Sequence, residues 1–156
     1  LVHRINGGEF PDLSNGAGTD FFFQKAEEPE KAAEIIVDLV KNRLPKFYHV
    51  PPQAIQVLTP MQRGVVGAAN LNQLLQAAVN PPVKDYKGHP GPELHRGGYT
   101  FRAGDKAMQI KNNYDKEVFN GDIGTIEKID PEDRTLTVRL DDRGIEYDAA
   151  ELDEMD

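Results

Sequence analysis

The sequence predicts an α/β segment followed by a small antiparallel β-barrel. In the first half of the chain, apolar residues recur at spacings of three and four between short apolar runs, as in helices that alternate with buried strands. In the second half, apolar and polar residues alternate between Gly, Asn and Asp turns, which is the pattern of strands. With 38% hydrophobic residues among 156, the chain has enough apolar side chains for a folded core.

The first half alternates strand and helix signals. The opening residues end at Gly7-Gly8 and predict the last turn of a helix, because glycine readily adopts the left-handed conformation that ends helices. Short apolar runs then predict buried strands over 20–24 and 54–58. Helical spacing predicts amphipathic helices over 29–44 and 68–78. This order is typical of a parallel α/β sheet.

The second half predicts short strands with tight turns, over 105–111, 123–129, 135–140 and 144–147. Four or five such strands in about 60 residues fit a small antiparallel barrel of the SH3-like kind. The Pro- and Gly-rich stretch before them predicts a linker. The predicted organisation is therefore an α/β part over 1–82, a linker over 83–98 and a barrel over 99–156.

Composition argues against several classes of protein. The chain has no cysteine, which excludes disulfides, thiolate metal sites and cysteine nucleophiles. No apolar run approaches the roughly 20 residues that span a bilayer, and the sequence predicts no membrane partner and a cytoplasmic protein. Its four histidines lack metal-ligand spacing, and no GxxxxGK[ST] loop is present. We therefore predict no metal site and no catalytic residues in this chain.

The net charge of −8 argues against nucleic-acid binding only if the charge is spread evenly. It is not: residues 122–156 carry 13 acidic and 4 basic side chains, whereas residues 81–121 carry 5 acidic and 7 basic ones. A local surface that binds anions is compatible with this distribution.

One candidate binding segment follows the second predicted strand, where open α/β sheets bind ligands. Thr59 and Gln62 can form hydrogen bonds with a phosphate or a base, Arg63 can pair with a phosphate, and the next helix offers its N-terminal N–H groups. Pro60 lies between them. The alternative is an ordinary connection between a strand and a helix, with a solvated arginine.

A second candidate segment lies at the end of the first predicted strand of the barrel, over 105–111, and before a long turn. Lys111, Asn112, Asn113 and Tyr114 offer a cation, two amides and an aromatic face together, a combination suited to single-stranded nucleic acid. Alternatively, the two asparagines cap the end of the strand, Tyr114 packs on the barrel and Lys111 is a surface charge. The residues alone leave both interpretations open.

Three stretches carry a family resemblance. GDKAMQIKNNYDKEVFNGDIGTI (104–126) and VLTPMQRGVVGAANLNQLLQ (57–76), with the opening HRINGGEFPDL (3–13), resemble the C-terminal half of bacterial RecD-like (RecD/TraA family) ATP-dependent DNA helicases, of the exodeoxyribonuclease V alpha subunit type. The resemblance covers nearly the whole chain.

The resemblance implies that residues 1–82 are part of a second RecA-like motor domain of the P-loop NTPase class, with the SH3-like barrel inserted in it. Such helicases use ATP and Mg²⁺ to translocate along single-stranded DNA in repair and recombination. The implied partners are single-stranded DNA and the remaining helicase domains, and the implied DNA contacts are Thr59, Pro60, Gln62, Arg63, Lys111, Asn112, Asn113 and Tyr114. Because the Walker A lysine and the Walker B acidic pair are absent, we expect no cofactor in this fragment and no ATPase activity from it alone.

The alternative from another class is a non-catalytic protein-interaction module. In that interpretation the SH3-like barrel binds a protein, and its acidic last 35 residues face a basic partner. An absence of DNA binding would favour it.

Overall fold

The computed structural model describes residues 2–16, 18, 21–84, 88 and 91–156. In these ranges helices come first and strands follow. The α-helices are α1 (Val2–Asn6), α2 (Pro29–Asp38), α3 (Leu44–Tyr48) and α4 (Ala68–Val79). The strands are β1 (Glu93–Arg96), β2 (Tyr99–Arg102), β3 (Lys106–Met108), β4 (Ile123–Asp130), β5 (Thr135–Leu140) and β6 (Arg143–Asp148). None of the described helices is long and apolar enough to cross a membrane.

The helices predicted from the apolar spacing are confirmed, and one of them is longer than predicted. A π-helical turn, Leu39–Arg43, joins α2 directly to α3, so helical structure continues to Tyr48. Pro45 explains the wider turn, since proline has no N–H to donate and its ring collides with the carbonyl group one turn before it. His49, with a φ of 55°, then ends the helix in the left-handed conformation.

The strands predicted over 20–24 and 54–58 are wrong for the described residues, and the parallel sheet that they implied is absent from them. A strand needs a neighbour to complete its backbone hydrogen bonds, and both segments use other partners. The Asn15 side chain bonds both backbone groups of Phe23, at 2.7 and 2.9 Å. The carbonyl group of Ile55 accepts a hydrogen bond from Lys106 Nζ at 3.1 Å.

The strands predicted in the second half are confirmed, and they form an antiparallel meander in the order β3-β4-β5-β6. A separate hairpin pairs β1 with β2. Since β1 lies inside 83–98, that stretch is not a linker throughout. Gly97 and Gly98, with φ of 57° and 87°, make the two-residue turn of this hairpin, which requires positive φ at both positions.

The end of the chain closes the barrel. Met108 and Asp156 exchange two backbone hydrogen bonds, of 2.8 and 2.9 Å, and Gln109 pairs with Met155. The final residues therefore lie along the side of β3 opposite to β4. Because they follow β6 through a 3₁₀ turn (Glu151–Glu154), β3 has neighbours on both sides.

The barrel has its own hydrophobic core, separate from that of the helices. Its buried residues all come from β1 onward: Leu94, Phe101, Ala107, Val118, Ile126, Ile129, Leu136, Val138, Leu140, Tyr147, Leu152 and Met155. The helical part instead buries Ala33, Val40 and Leu71.

A row of amide side chains on α4 joins the helices to the barrel. Asn72, Gln76 and Asn80 are spaced four residues apart and therefore lie on one face of the helix. Gln76 and Asn80 donate to opposite oxygens of the Asp105 carboxylate, at 2.6 and 2.7 Å, and Asn72 donates to Asp156 at 2.9 Å. An open cleft of about 430 Å³ lies beside these hydrogen bonds between α4 and the barrel.

Candidate nucleic-acid interface

The loop between β3 and β4 carries an exposed aromatic surface. Tyr114 is 73% exposed and Phe119 is 47% exposed, and their rings meet edge to face with centroids 6.0 Å apart. Ile110 and Ile123, at the two ends of the loop, are exposed as well, and so is Lys111, three residues before Tyr114. We call these five residues the loop surface.

Backbone pairing gives this loop a defined shape. Asn113 and Val118 exchange two backbone hydrogen bonds, of 2.8 and 3.0 Å, across the segment that carries Tyr114. The Val118 side chain is fully buried in the barrel core. Asn112 accepts a hydrogen bond from the Asn120 backbone at 2.9 Å, which ties the start of the loop to its end.

A buried polar network anchors the base of the loop. The Tyr147 hydroxyl donates to Gln109 Oε1 at 3.0 Å, and Gln109 Nε2 donates to Glu154 Oε2 at 3.1 Å. Asn113 Nδ2 donates to the same Glu154 oxygen, also at 3.1 Å. Burial raises the pKa of Tyr147 to about 12, and the nearby Glu154 carboxylate adds to this shift. Tyr147 therefore remains a neutral donor at physiological pH.

Sequence analysis missed Gln109, Tyr147 and Glu154. The alternation of β3 was the available signal, because it places Gln109 on the same inward side as the buried Ala107. A polar residue at an inward position needs buried partners. The partners of Gln109 are Tyr147 on β6 and Glu154 near the end of the chain. Both are distant from Gln109 in sequence, so a local pattern does not identify them.

Two lysines near the loop have structural partners. Burial lowers the pKa of Lys106, whose ammonium group donates to the Ile55 carbonyl. The Lys116 ammonium group lies 4.7 Å from the centroid of the Tyr147 ring and pairs with Glu151. Lys111 forms no ion pair with any other described residue. It is therefore the lysine best placed to meet a ligand.

The candidate segment from Thr59 to Arg63 forms a tight turn before α4. The Thr59 hydroxyl donates to the Val66 carbonyl at 2.7 Å and so braces the turn. The first N–H groups of α4, on Ala68 and Ala69, donate to the carbonyls of Met61 and Gln62 at 2.9 and 3.3 Å. These two N–H groups are therefore not free for a phosphate, and a phosphate contact at this helix N-terminus stays a prediction.

Pro60, Gln62 and Arg63 are exposed on this turn. Arg63 forms no hydrogen bond or ion pair with the rest of the described chain. Gln62 lines the open cleft together with Tyr99 and Asp156 of the barrel. Burial raises the pKa of Tyr99, the Asp156 carboxylate raises it further, and the nearby Gln62 amide opposes both effects.

The last four residues connect the two candidate segments. Asp156 lies beside Tyr99, which contacts Gln62. At the other end, the Ile110 N–H donates to the Glu154 carbonyl at 2.7 Å, so that Lys111 and Asp153 lie on adjoining stretches of chain. Contact of either segment with DNA stays a prediction.

Comparison with known proteins identifies a matching family and a similar protein. Residues 71–140, from α4 to the end of β5, match the family described as the ATP-dependent RecD-like DNA helicase SH3 domain. Over 101 residues, 65% of this chain, the sequence is 42% identical to the ATP-dependent RecD2 DNA helicase of Deinococcus radiodurans. The aligned region spans 13% of that relative's length. With the antiparallel barrel described above, these matches show that residues 71–140 carry the SH3 domain of the RecD-like DNA helicase family, and they support a RecD-like helicase fragment.

Proposed function

We propose that this chain supplies a binding surface for single-stranded DNA within an ATP-dependent DNA helicase. The observation that carries the proposal is the loop surface, where Tyr114 is 73% exposed three residues after Lys111, which is exposed and forms no ion pair with any other described residue. An aromatic residue that only packed on the barrel would be covered by it. Exposed rings next to a free cation are the usual components of a single-strand binding groove.

The rest of the chain has a corresponding role in this proposal. Residues 1–82 form part of the second RecA-like motor domain, into which the SH3-like barrel is inserted. The exposed Leu58 supports this assignment, since a motor-domain sheet would cover it. ATP and Mg²⁺ bind to other parts of the whole helicase, which unwinds DNA in the cytoplasm during repair.

Each residue of the proposed interface contributes to DNA binding according to its chemistry. The Tyr114 ring stacks on a base, Phe119 supports that ring from its edge, and Lys111 pairs with a phosphate. Gln62 and Arg63 contact the strand at the other end of the interface. Asn113 positions the loop, because its amide is already bonded to Glu154. Since every base has an aromatic face, this surface binds without sequence preference, as a translocating helicase requires.

Substituting the loop surface tests the proposal. Lys111→Ala is expected to weaken binding to labelled oligothymidylate and to lower the salt dependence by about 0.7 in log–log slope, because one phosphate contact is lost. Tyr114→Ala is expected to weaken binding by roughly 5- to 150-fold, since stacking contributes about 1–3 kcal/mol per base. Fluorescence anisotropy at two salt concentrations measures both effects.

Matched controls make this experiment specific. Lys128, an exposed lysine on β4, controls for Lys111. Tyr48 controls for Tyr114, since it is half exposed and forms the same edge-to-face pair with Phe47. The proposal is wrong if both loop variants bind like the original chain, or if Lys128→Ala and Tyr48→Ala reduce affinity equally.

A protein-binding role is the alternative function. The exposed Ile110, Phe119 and Ile123 favour it, because apolar side chains also suit a protein partner. Absence of single-strand binding by the original chain at low salt would favour this alternative.

A further inference from the structure

An arginine on the β1–β2 hairpin is paired with an aspartate next to the loop surface. Arg96 Nε donates to Asp153 Oδ1 at 2.9 Å, and Arg96 NH2 donates to Oδ2 at 2.7 Å. This two-bond geometry is also the one that a guanidinium group uses to bind a phosphate. Both side chains are about half exposed, at 42% and 50%, so solvent and ligands can reach the pair.

Asp153 also lies next to the free cation of the loop surface. The Ile110 N–H donates to the Glu154 carbonyl at 2.7 Å, which brings the adjoining residues Lys111 and Asp153 near each other. Hydrogen bonds from Arg96 hold the pKa of Asp153 below its usual value, and the positive charge of Lys111 adds to this effect. One carboxylate thus lies between two cations that come from different parts of the barrel.

We propose that Arg96 is a further phosphate-binding residue, and that Asp153 occupies in the free protein the position taken by a DNA phosphate when the strand binds. This inference rests on the proposed function. A phosphate between Arg96 and Lys111 accepts the same hydrogen bonds that Asp153 now accepts. Exchange of one anion for the other is feasible because an exposed ion pair is weak and is screened by salt. Asp153 therefore competes with the strand and lowers its affinity.

Removing the competing charge is expected to tighten binding. Asp153→Asn keeps the shape of the side chain, removes its charge and frees Arg96. We expect this variant to bind oligothymidylate about three- to tenfold more tightly at low salt, with a log–log salt slope steeper by about 0.7 for one more phosphate contact. Adding Arg96→Ala to Asp153→Asn is expected to abolish the gain in affinity.

The barrel offers a matched control in the Arg139–Glu127 pair. This pair is also exposed, joins two strands of the barrel and includes a short Arg139 Nε to Glu127 hydrogen bond of 2.6 Å. Glu127→Gln removes the same charge at a site away from the loop surface. We expect it to change affinity by less than about twofold, the difference that long-range screened charge makes.

The outcomes separate this inference from the proposed function. If the original chain binds single strands and Asp153→Asn binds no more tightly than Glu127→Gln, the inference is overturned while the proposed function stands. A gain that persists in the Arg96→Ala, Asp153→Asn double variant overturns the role of Arg96. Binding by Asp153→Asn alone, with none by the original chain, supports competition by Asp153. If none of these proteins binds, both proposals are wrong.

Discussion

Replacing Gly124 with alanine is expected to destabilise the barrel by about 3 kcal/mol, at the upper end for an overpacked core. Gly124 lies in β4 opposite Ala107 of β3. A Cβ atom at this position would overlap the carbonyl oxygen of Arg139 and come within 2.6 Å of Val138 Cγ1. The backbone oxygen cannot move away without breaking the pairing of β4 with β5. Glycine is therefore the only residue that fits at this position of β4.

Thermal unfolding followed by circular dichroism measures the effect. We expect Gly124→Ala to lower the Tm by roughly 10 °C. Gly144→Ala, in β6 of the same sheet, is the matched control, because its Cβ would meet only Thr137 Cγ2 at 3.3 Å. Equal Tm values for the Gly124 and Gly144 variants would show that the packing of β4 against β5 is not as tight as described.

Replacing Asn113 with aspartate is expected to weaken single-strand binding about tenfold without unfolding the barrel. The Asn113 amide donates to Glu154 at 3.1 Å, and a carboxylate at that position would face another carboxylate instead. Loss of a partly buried hydrogen bond and the new repulsion together cost about 1–3 kcal/mol, which releases the loop that carries Tyr114. Anisotropy titration measures the affinity, and circular dichroism verifies the fold.

A second substitution is expected to restore this variant. Combining Asn113→Asp with Glu154→Gln exchanges the donor and the acceptor between positions 113 and 154, since the new amide nitrogen can donate to the new carboxylate. We expect the double variant to recover affinity to within about threefold of the original chain. Asn42→Asp controls for the added charge, because Asn42 also donates to a carboxylate, that of Asp38, at 2.8 Å in the helical part. No recovery in the double variant would refute the anchoring role of Glu154.

The strands of the barrel could be predicted from sequence because each is specified by local alternation and by its own turns. The apolar runs over 20–24 and 54–58 were interpreted as strands for a weaker reason. A short apolar run indicates that a segment is buried or covered, but it does not show that a neighbouring strand is present to pair with it. Where that neighbour is absent, the backbone groups take other partners, as Phe23 does with Asn15.

The candidate site was only partly predictable, because residue type does not show what a side chain already binds. Lys111 and Tyr114 are exposed, as a DNA contact requires. Asn113 and Thr59, chosen for the same hydrogen-bonding capacity, are bonded to Glu154 and to the Val66 carbonyl. Arg96 was not a candidate, because its position beside Lys111 depends on closure of the barrel by the final residues.

The most direct test of a single-strand binding surface on this barrel is an amide ¹H–¹⁵N NMR titration of the chain with a short oligothymidylate. We expect the largest changes in chemical shift on residues 110–119 and on Arg96. The outer face of β4 and β5, including Lys128 and Arg139, should change little. Changes confined to that outer face, or no changes at a concentration where binding is detected by other means, would contradict the account.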